Sequence, residues 1–176
     1  MSTDVIDQAV KFLRDHLASN DVKVGSSHAH AAVSHYLGYN SKAALKADDD
    51  FDVDDVDLII NRKVGLDKLR VHIPKMQPNA LQTISIDELG EIIYAGLAPA
   101  CECCNEKKLD IMPLGCDESS PDGWVSLSCA AQDEEYDVCD FCGPNYLYRS
   151  RDINRRGECS EHEGESILDD EDLDDE

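Results

Sequence analysis

Eight cysteines lie between residues 101 and 159, and the first hundred residues contain none. Cys139 and Cys142 form a Cys-x-x-Cys pair, and sixteen residues separate it from a second pair, Cys159 and His162. Zinc in proteins prefers four tetrahedral sulfur or nitrogen ligands, and a Cys-x-x-Cys turn presents two thiolates to one ion. The spacing therefore predicts a zinc site whose ligands are these four residues.

A similar turn begins the cysteine-rich region. Cys101 and Cys104 are followed by Asn105, and Gly143 follows the later turn in the same way. Glycine and asparagine tolerate the left-handed backbone that commonly follows such a turn. We therefore expect Cys101 and Cys104 to be ligands, with Cys103 spare.

Cys116 and Cys129 are the expected remaining ligands of this first site. The set is irregular, because Ser126 stands where a Cys-x-x-Cys partner of Cys129 is expected. Either Cys116 replaces that partner or the first site is incomplete. Sequential use of the ligands predicts two zinc ions, and a cross-braced arrangement stays open. Shorter loops favour the sequential arrangement slightly.

The chemistry of these cysteines depends on the compartment. The first twenty residues have charges throughout and no long apolar run, so they do not resemble a signal peptide. No stretch approaches the roughly 18 apolar residues of a membrane span. We therefore expect a cytoplasmic protein with no membrane partner, in which clustered thiols bind metal more often than they form disulfides. A redox role for Cys139 and Cys142 is disfavoured, since Gly143-Pro144 would break the helix such a motif opens.

With these spacings, residues 99–162 resemble the zinc-ribbon and treble-clef class of zinc-binding domains. The resemblance implies bound zinc and a small β-hairpin scaffold, and it implies no particular activity.

The densest basic and aromatic stretch of the chain lies between the two halves of the later site. Its candidate nucleic-acid-binding residues are Tyr146, Tyr148, Arg149, Arg151, Arg155 and Arg156. Arginines and tyrosines can contact phosphates and stack on bases. The arginines can also neutralise zinc-bound thiolates and nearby acids. The formal net charge of −22 favours the local role.

The region before the cysteines is predicted to be helical. Apolar residues from Val5 to Leu17 follow helical spacing, and the helix should end near Ser19. Residues 26–47 read as a helix, a turn at Gly38 and another helix, and so resemble a helix-turn-helix. A plain helical hairpin is favoured, because Lys42 and Lys46 are the only charges on the second helix that could meet phosphate.

Composition suggests the boundaries between segments. Residues 48–57 contain seven aspartates, too many to pack as a core element. Beyond them, residues 70–74 (RVHIP) predict a short strand, and Ser85 with Glu88 predicts a capping box that opens a helix. The expected organisation is a helical domain at 1–48, an acidic linker at 49–55, a helix-strand-helix segment at 56–98, a zinc-binding module at 99–162 and a disordered acidic tail at 163–176.

The overall expectation is an α+β protein with a helical N-terminal region and a small zinc-stabilised β-hairpin module. No residue set resembles a nucleophile with its base. We therefore expect a non-enzymatic zinc-binding adaptor or regulatory protein that engages a protein or nucleic-acid partner. Two alternatives are a zinc-dependent enzyme that uses the incomplete first site and an acidic mimic of nucleic acid.

Overall fold

The longer helices precede the strands in the described part of the chain. The computed structural model describes residues 2–48, 62–117 and 120–165, with side chains from residue 5 onward. The chain divides into a helical unit, residues 1–99 and 107–109, and a cysteine unit, residues 100–106 and 110–176. The predicted α+β class, with a helical N-terminal region, is confirmed.

The described residues of the helical unit form α-helices joined by short turns. The helices are α1 (Ser2–Ser19), α2 (Ser26–Tyr36), α3 (Lys42–Lys46), α4 (Arg62–His72) and α5 (Ile86–Leu97), and two 3₁₀ helices lie at Ile73–Lys75 and Ala80–Thr83. The first helix ends where its apolar pattern ends, as predicted. Its buried positions Ala9, Val10, Leu13 and Leu17 form one face.

Side-chain caps begin two of these helices. Ser41 Oγ accepts a hydrogen bond from Ala44 N at the start of α3, and Ser85 Oγ accepts one from Glu88 N at the start of α5. Each serine satisfies a backbone N–H that has no partner within its helix. The capping predicted at Ser85 is therefore confirmed. The hairpin of α2 and α3 turns at Gly38, whose φ is 92°, and α3 has only five residues.

The predicted strand at residues 70–74 is wrong. Helix α4 continues through His72, and the 3₁₀ helix Ile73–Lys75 follows it directly. Leu69 and Ile73 are both buried, and a spacing of four places them on one helical face. Pro74 lies in the first turn of the 3₁₀ helix, where a backbone N–H has no partner to lose.

The helical unit has an aliphatic core in which α1 packs against α2 and α5, and α2 and α5 pack against α4. Two glycines permit close approaches. A Cβ atom at Gly96 would lie 3.0 Å from the Cα atom of Ala9. One at Gly65 would lie 2.5 Å from the buried ring of Tyr36.

The cysteine unit contains two short hairpins. Strands β1 (Ile111–Pro113) and β2 (Trp124–Ser126) pair antiparallel, with Ile111 opposite Ser126. Strands β3 (Tyr136–Val138) and β4 (Leu147–Arg149) also pair antiparallel, with Tyr136 opposite Arg149. Helix α6 (Leu127–Ala130) and the 3₁₀ helices Ser150–Asp152 and Ser160–His162 complete the described elements of this unit.

Two predicted acidic segments fall largely outside the described residues. The linker at 49–55 and the predicted start of a helix at Val56 lie wholly outside them, as does the tail from residue 166. Among the helices that the structure describes, none combines the length and the apolar character that a membrane span requires.

The contact between Gly65 and Tyr36 leads to a testable prediction. Gly65→Ala should reduce the free energy of unfolding of the helical unit by about 1–3 kcal/mol, because the new methyl group overlaps a buried ring. Without that overlap, alanine would stabilise the helix by about 1 kcal/mol relative to glycine, so the sign of the change is diagnostic. Urea unfolding followed by helical circular dichroism measures it. Lys63→Ala, at an exposed position of the same helix, is the matched control.

Candidate metal centre

One cysteine and histidine cluster, here called the second cluster, joins the two predicted ligand pairs. It comprises Cys139, Cys142, Cys159 and His162, whose ligand atoms all lie within 4.8 Å of one another. Cys139 and Cys142 flank a tight turn after β3. Gly143 follows that turn with a φ of 84°, the left-handed conformation expected from the sequence. Of the other two ligands, Cys159 immediately precedes the 3₁₀ helix Ser160–His162, and His162 is its last residue.

Interatomic distances in the second cluster fit a tetrahedral ion. The sulfurs of Cys142 and Cys159 lie 3.7 Å apart. His162 Nδ1 lies 3.7, 3.4 and 3.3 Å from the sulfurs of Cys139, Cys142 and Cys159. Zinc bonds of about 2.3 Å to sulfur and 2.0–2.1 Å to nitrogen imply tetrahedral edges of about 3.8 and 3.6 Å. The donor set and its spacing are therefore compatible with zinc.

The thiol pKa values in this cluster diverge. Burial raises the pKa of Cys142 to about 12, and the neighbouring Cys159 and Cys139 sulfurs add to a rise that the Tyr148 hydroxyl only partly opposes. Burial also acts to raise the pKa of Cys139, but backbone N–H groups of Cys159 and Cys142 lower it overall. Adjacent thiols cannot all ionise together without a compensating cation. The cluster thus has the electrostatics of a cation site.

Tyr148 is part of this centre, although the sequence suggested a nucleic-acid contact. Its side chain is buried, and its hydroxyl lies 2.9 Å from Cys142 Sγ. Burial raises the pKa of Tyr148, and hydrogen bonds to the sulfurs of Cys142, Cys116 and Cys159 act in the same direction. The phenol therefore stays protonated and can donate to a metal-bound thiolate. Such outer partners orient ligands and tune the metal.

Two further residues that the sequence did not single out support the second cluster. Glu158 is buried, and its Oε2 accepts hydrogen bonds from Asn154 Nδ2 at 2.8 Å and Gly164 N at 3.0 Å. These bonds fix the chain on both sides of the second ligand pair. Phe141 stacks on the ring of His162 with centroids 5.6 Å apart, which restrains the imidazole. Only the position of Phe141 between two ligands hinted at this role.

The first cluster brings together the sulfurs of Cys101, Cys104 and Cys129, all within 4.8 Å of one another. Cys101 is buried, and the other two are half-buried. Burial acts to raise the pKa of Cys101, but hydrogen bonds from Ser126 and from the N–H groups of Cys104 and Cys103 lower it to about 6. The cluster therefore offers three sulfur ligands, one of which ionises readily.

The structure does not place Cys116 with these three sulfurs. Cys116 packs instead against the second cluster, among Tyr148 and Cys159, and lines a cleft of about 550 Å³ beside it. The physical reason is the register of the first hairpin. Leu114 and Gly115 leave β1 toward β4, where Gly115 N donates to Leu147 O at 2.8 Å, and Cys116 follows them.

The predicted basic and aromatic set is divided by the structure. Arg149 contacts Glu102 through two nitrogens, at 3.2 and 2.8 Å, and donates to Asp122 O at 3.0 Å. It therefore links the first Cys-x-x-Cys turn to β4. Tyr146 is half-buried against the second cluster. The side chain of Arg151 is 74% exposed, Arg155 is exposed and Arg156 is half-buried.

Comparison with known proteins gives no family for this chain. No protein-family model matches it, and neither a curated protein nor a solved structure gives a match. The zinc-ribbon and helix-turn-helix resemblances thus stay interpretations of the residue patterns. What the structure shows is two cysteine-rich clusters able to hold metal ions.

Replacing the Tyr148 hydroxyl tests its place in the centre. Tyr148→Phe should lower the zinc affinity of the second cluster by about 10–100-fold while the unit stays folded, because a metal-bound thiolate is deprived of its hydrogen-bond donor. Competition with a zinc chelator of known affinity measures the change. Tyr146→Phe is the matched control, and it should leave the affinity unaltered. An equal loss of affinity in both variants would contradict a specific role for the Tyr148 hydroxyl.

Proposed function

We propose that this protein is a non-enzymatic zinc-binding adaptor or regulatory protein whose cysteine unit is folded by two zinc ions. One observation carries the proposal: four protein ligands converge at tetrahedral distances in the second cluster. Zinc held by four protein ligands has no open position for a substrate, which is the mark of a structural site. Its role is then to hold a surface in shape for a partner.

The size of the cysteine unit supports a structural role for the metal. Each of the four strands described in this unit has three residues. Beyond the cysteines, its described core rests on a few apolar side chains such as Ile111, Leu114 and Val125. Small cores of this kind usually require metals or disulfides. The binding free energy of the metal then becomes folding free energy.

The enzymatic alternative would use the first cluster, where three cysteines leave one coordination position. A catalytic zinc needs that position open to substrate. Here the buried Ser126 lies against Cys101: its backbone N–H donates to Cys101 Sγ at 3.3 Å, and its hydroxyl acts to lower the pKa of that thiol. This interaction favours a closed site and therefore the non-enzymatic proposal.

Native mass spectrometry of the full chain, purified without added metal, tests the proposal. We expect two zinc ions and eight free thiols. Cys139→Ser should remove the metal of the second cluster and unfold the cysteine unit. Loss of a residue that only hydrogen-bonds to a ligand costs about 10–100-fold in metal affinity, and loss of a thiolate bound directly to zinc should cost more. Helical circular dichroism should persist. Cys103→Ser is the matched control, because Cys103 is exposed and belongs to neither cluster. Thiols that disappear in pairs, without zinc, would contradict the proposal.

The proposed partner of this unit is a protein or a nucleic acid, and substitution of the exposed Arg151 and Arg155 distinguishes these two possibilities. If they bind phosphate, Arg151→Ala with Arg155→Ala should weaken binding of a single-stranded oligonucleotide at low salt. The slope of log affinity against log salt should fall by about one for each arginine that no longer neutralises a phosphate. Fluorescence anisotropy measures both quantities.

Lys63→Ala with Lys68→Ala is the matched control for these arginines. It removes the same charge from exposed positions of α4 and should leave oligonucleotide binding intact. Equal effects of both double variants would show a general charge effect. Wild-type protein that fails to bind the oligonucleotide at low salt would direct the search to a protein partner.

A further inference from the structure

The two clusters share a set of backbone hydrogen bonds. In the first cluster, the backbone N–H of Glu102, the residue after Cys101, donates to Trp124 O at 2.8 Å. In the second, the N–H of Asp140 donates to Gly157 O at 3.0 Å. Trp124 lies two residues before Ser126, and Gly157 lies two residues before Cys159, so the two turns contact the returning chain in the same way.

The correspondence extends to the sulfurs. Ser126 N donates to Cys101 Sγ at 3.3 Å, and Cys159 N donates to Cys139 Sγ at 3.5 Å. The last member of each cluster lies three residues further on, on α6 in one case and on a 3₁₀ helix in the other. Ser126 therefore occupies in the first cluster the backbone position that Cys159 occupies in the second.

The side chain of Ser126 is held at the cluster. The residue is 0% exposed. Its Oγ accepts a hydrogen bond from Cys129 N at 3.3 Å and lies 3.3 Å from Ser128 Oγ. Its backbone N–H donates to Cys101 Sγ at 3.3 Å, and the hydroxyl acts to lower the pKa of that thiol. The first cluster thus has a buried hydroxyl beside Cys101, at the backbone position where the second cluster has the thiol of Cys159.

We propose that the first cluster binds zinc through its three thiolates with the Ser126 hydroxyl closing the fourth position, which makes it a weaker and more exchangeable zinc site than the second cluster. A neutral hydroxyl is a poorer zinc ligand than a thiolate, because zinc sites in proteins are built from sulfur, nitrogen and carboxylate ligands. The inference rests on the proposed function, since it requires that the cysteine unit binds zinc.

Unequal affinities give the cysteine unit two loaded states. At low free zinc only the second cluster is filled, and at higher free zinc the first cluster fills as well. Strand β2 ends at Ser126, and the N–H of Glu102 in the first turn bonds to Trp124 in the same strand. Filling the first cluster therefore fixes the β1–β2 hairpin, and zinc availability controls the surface that this hairpin presents.

The chain contains its own reporter of this step. Trp124 is the single tryptophan, it lies two residues before Ser126, and it is buried. Its fluorescence should change when the first cluster empties and the hairpin loosens. Native mass spectrometry counts the zinc ions in the same samples, so the two measurements together identify which ion leaves first.

The experiment challenges the zinc-loaded full chain with chelators of increasing affinity. Wild-type protein should pass from two zinc ions to one with the change in Trp124 fluorescence, and to none only with stronger chelators. Ser126→Cys should raise the zinc affinity of the first site at least about tenfold, because even residues that only hydrogen-bond to a metal ligand alter metal affinity by that factor. Ser126→Ala should lower it and leave the second site unaltered.

Ser27→Cys, at an exposed position of α2, adds a thiol elsewhere in the chain and is the matched control; it should behave as wild type. Release of both zinc ions in one step from wild-type protein, or unchanged first-site affinity in Ser126→Ala, would overturn the inference and leave the proposed function intact. Failure of wild-type protein to bind any zinc would instead overturn the proposed function itself. Because Ser126→Ala introduces no new ligand, its result decides even where Ser126→Cys fails to fold.

Discussion

The convergence of three thiols and an imidazole in the second cluster is the constraint on which the cysteine unit depends. Their ligand atoms lie within 4.8 Å of one another, a spacing at which the three thiolates repel one another unless a cation lies between them. Strands of three residues cannot offset such repulsion. Under the proposed function, the folding of this unit therefore depends on the binding of its metal. The buried Glu158 and Tyr148 side chains help to hold the ligands in place.

The helical unit is stabilised by a different kind of interaction. Its helices bury aliphatic faces against one another, and the close approach at Gly96 and Ala9 needs no polar group. A core of this kind forms through the hydrophobic effect and is insensitive to metal. Under the proposed zinc binding, one chain thus contains two sources of stability, and the supply of metal affects only that of the cysteine unit.

Local patterns predicted the local features well. The apolar spacing of α1 and the cap at Ser85 need only neighbouring residues, and both were found. The strand predicted at residues 70–74 was wrong, because β-branched residues before a proline are typical of a strand. The prediction did not take account of the buried helical face that Leu69 and Ile73 share. Cys116 was expected in the first cluster and packs beside the second, because its contacts come from another hairpin and cannot be read from spacing along the chain. The contact of Arg149 with Glu102 is of the local kind that the net charge favoured.

Lys107 ties a distant stretch of sequence to the helical unit. Its ammonium group donates to Gly96 O at 2.7 Å and to Ala98 O at 2.5 Å, two carbonyls left without helical partners where α5 ends. Residues 107–109 therefore belong with the helices, although residues 100–106 belong with the cysteines. A fragment cut at the composition boundary near Pro99 would lack this cap. The two units therefore cannot be separated by a single cut in the chain, because residues 107–109 of the helical unit follow residues 100–106 of the cysteine unit in sequence.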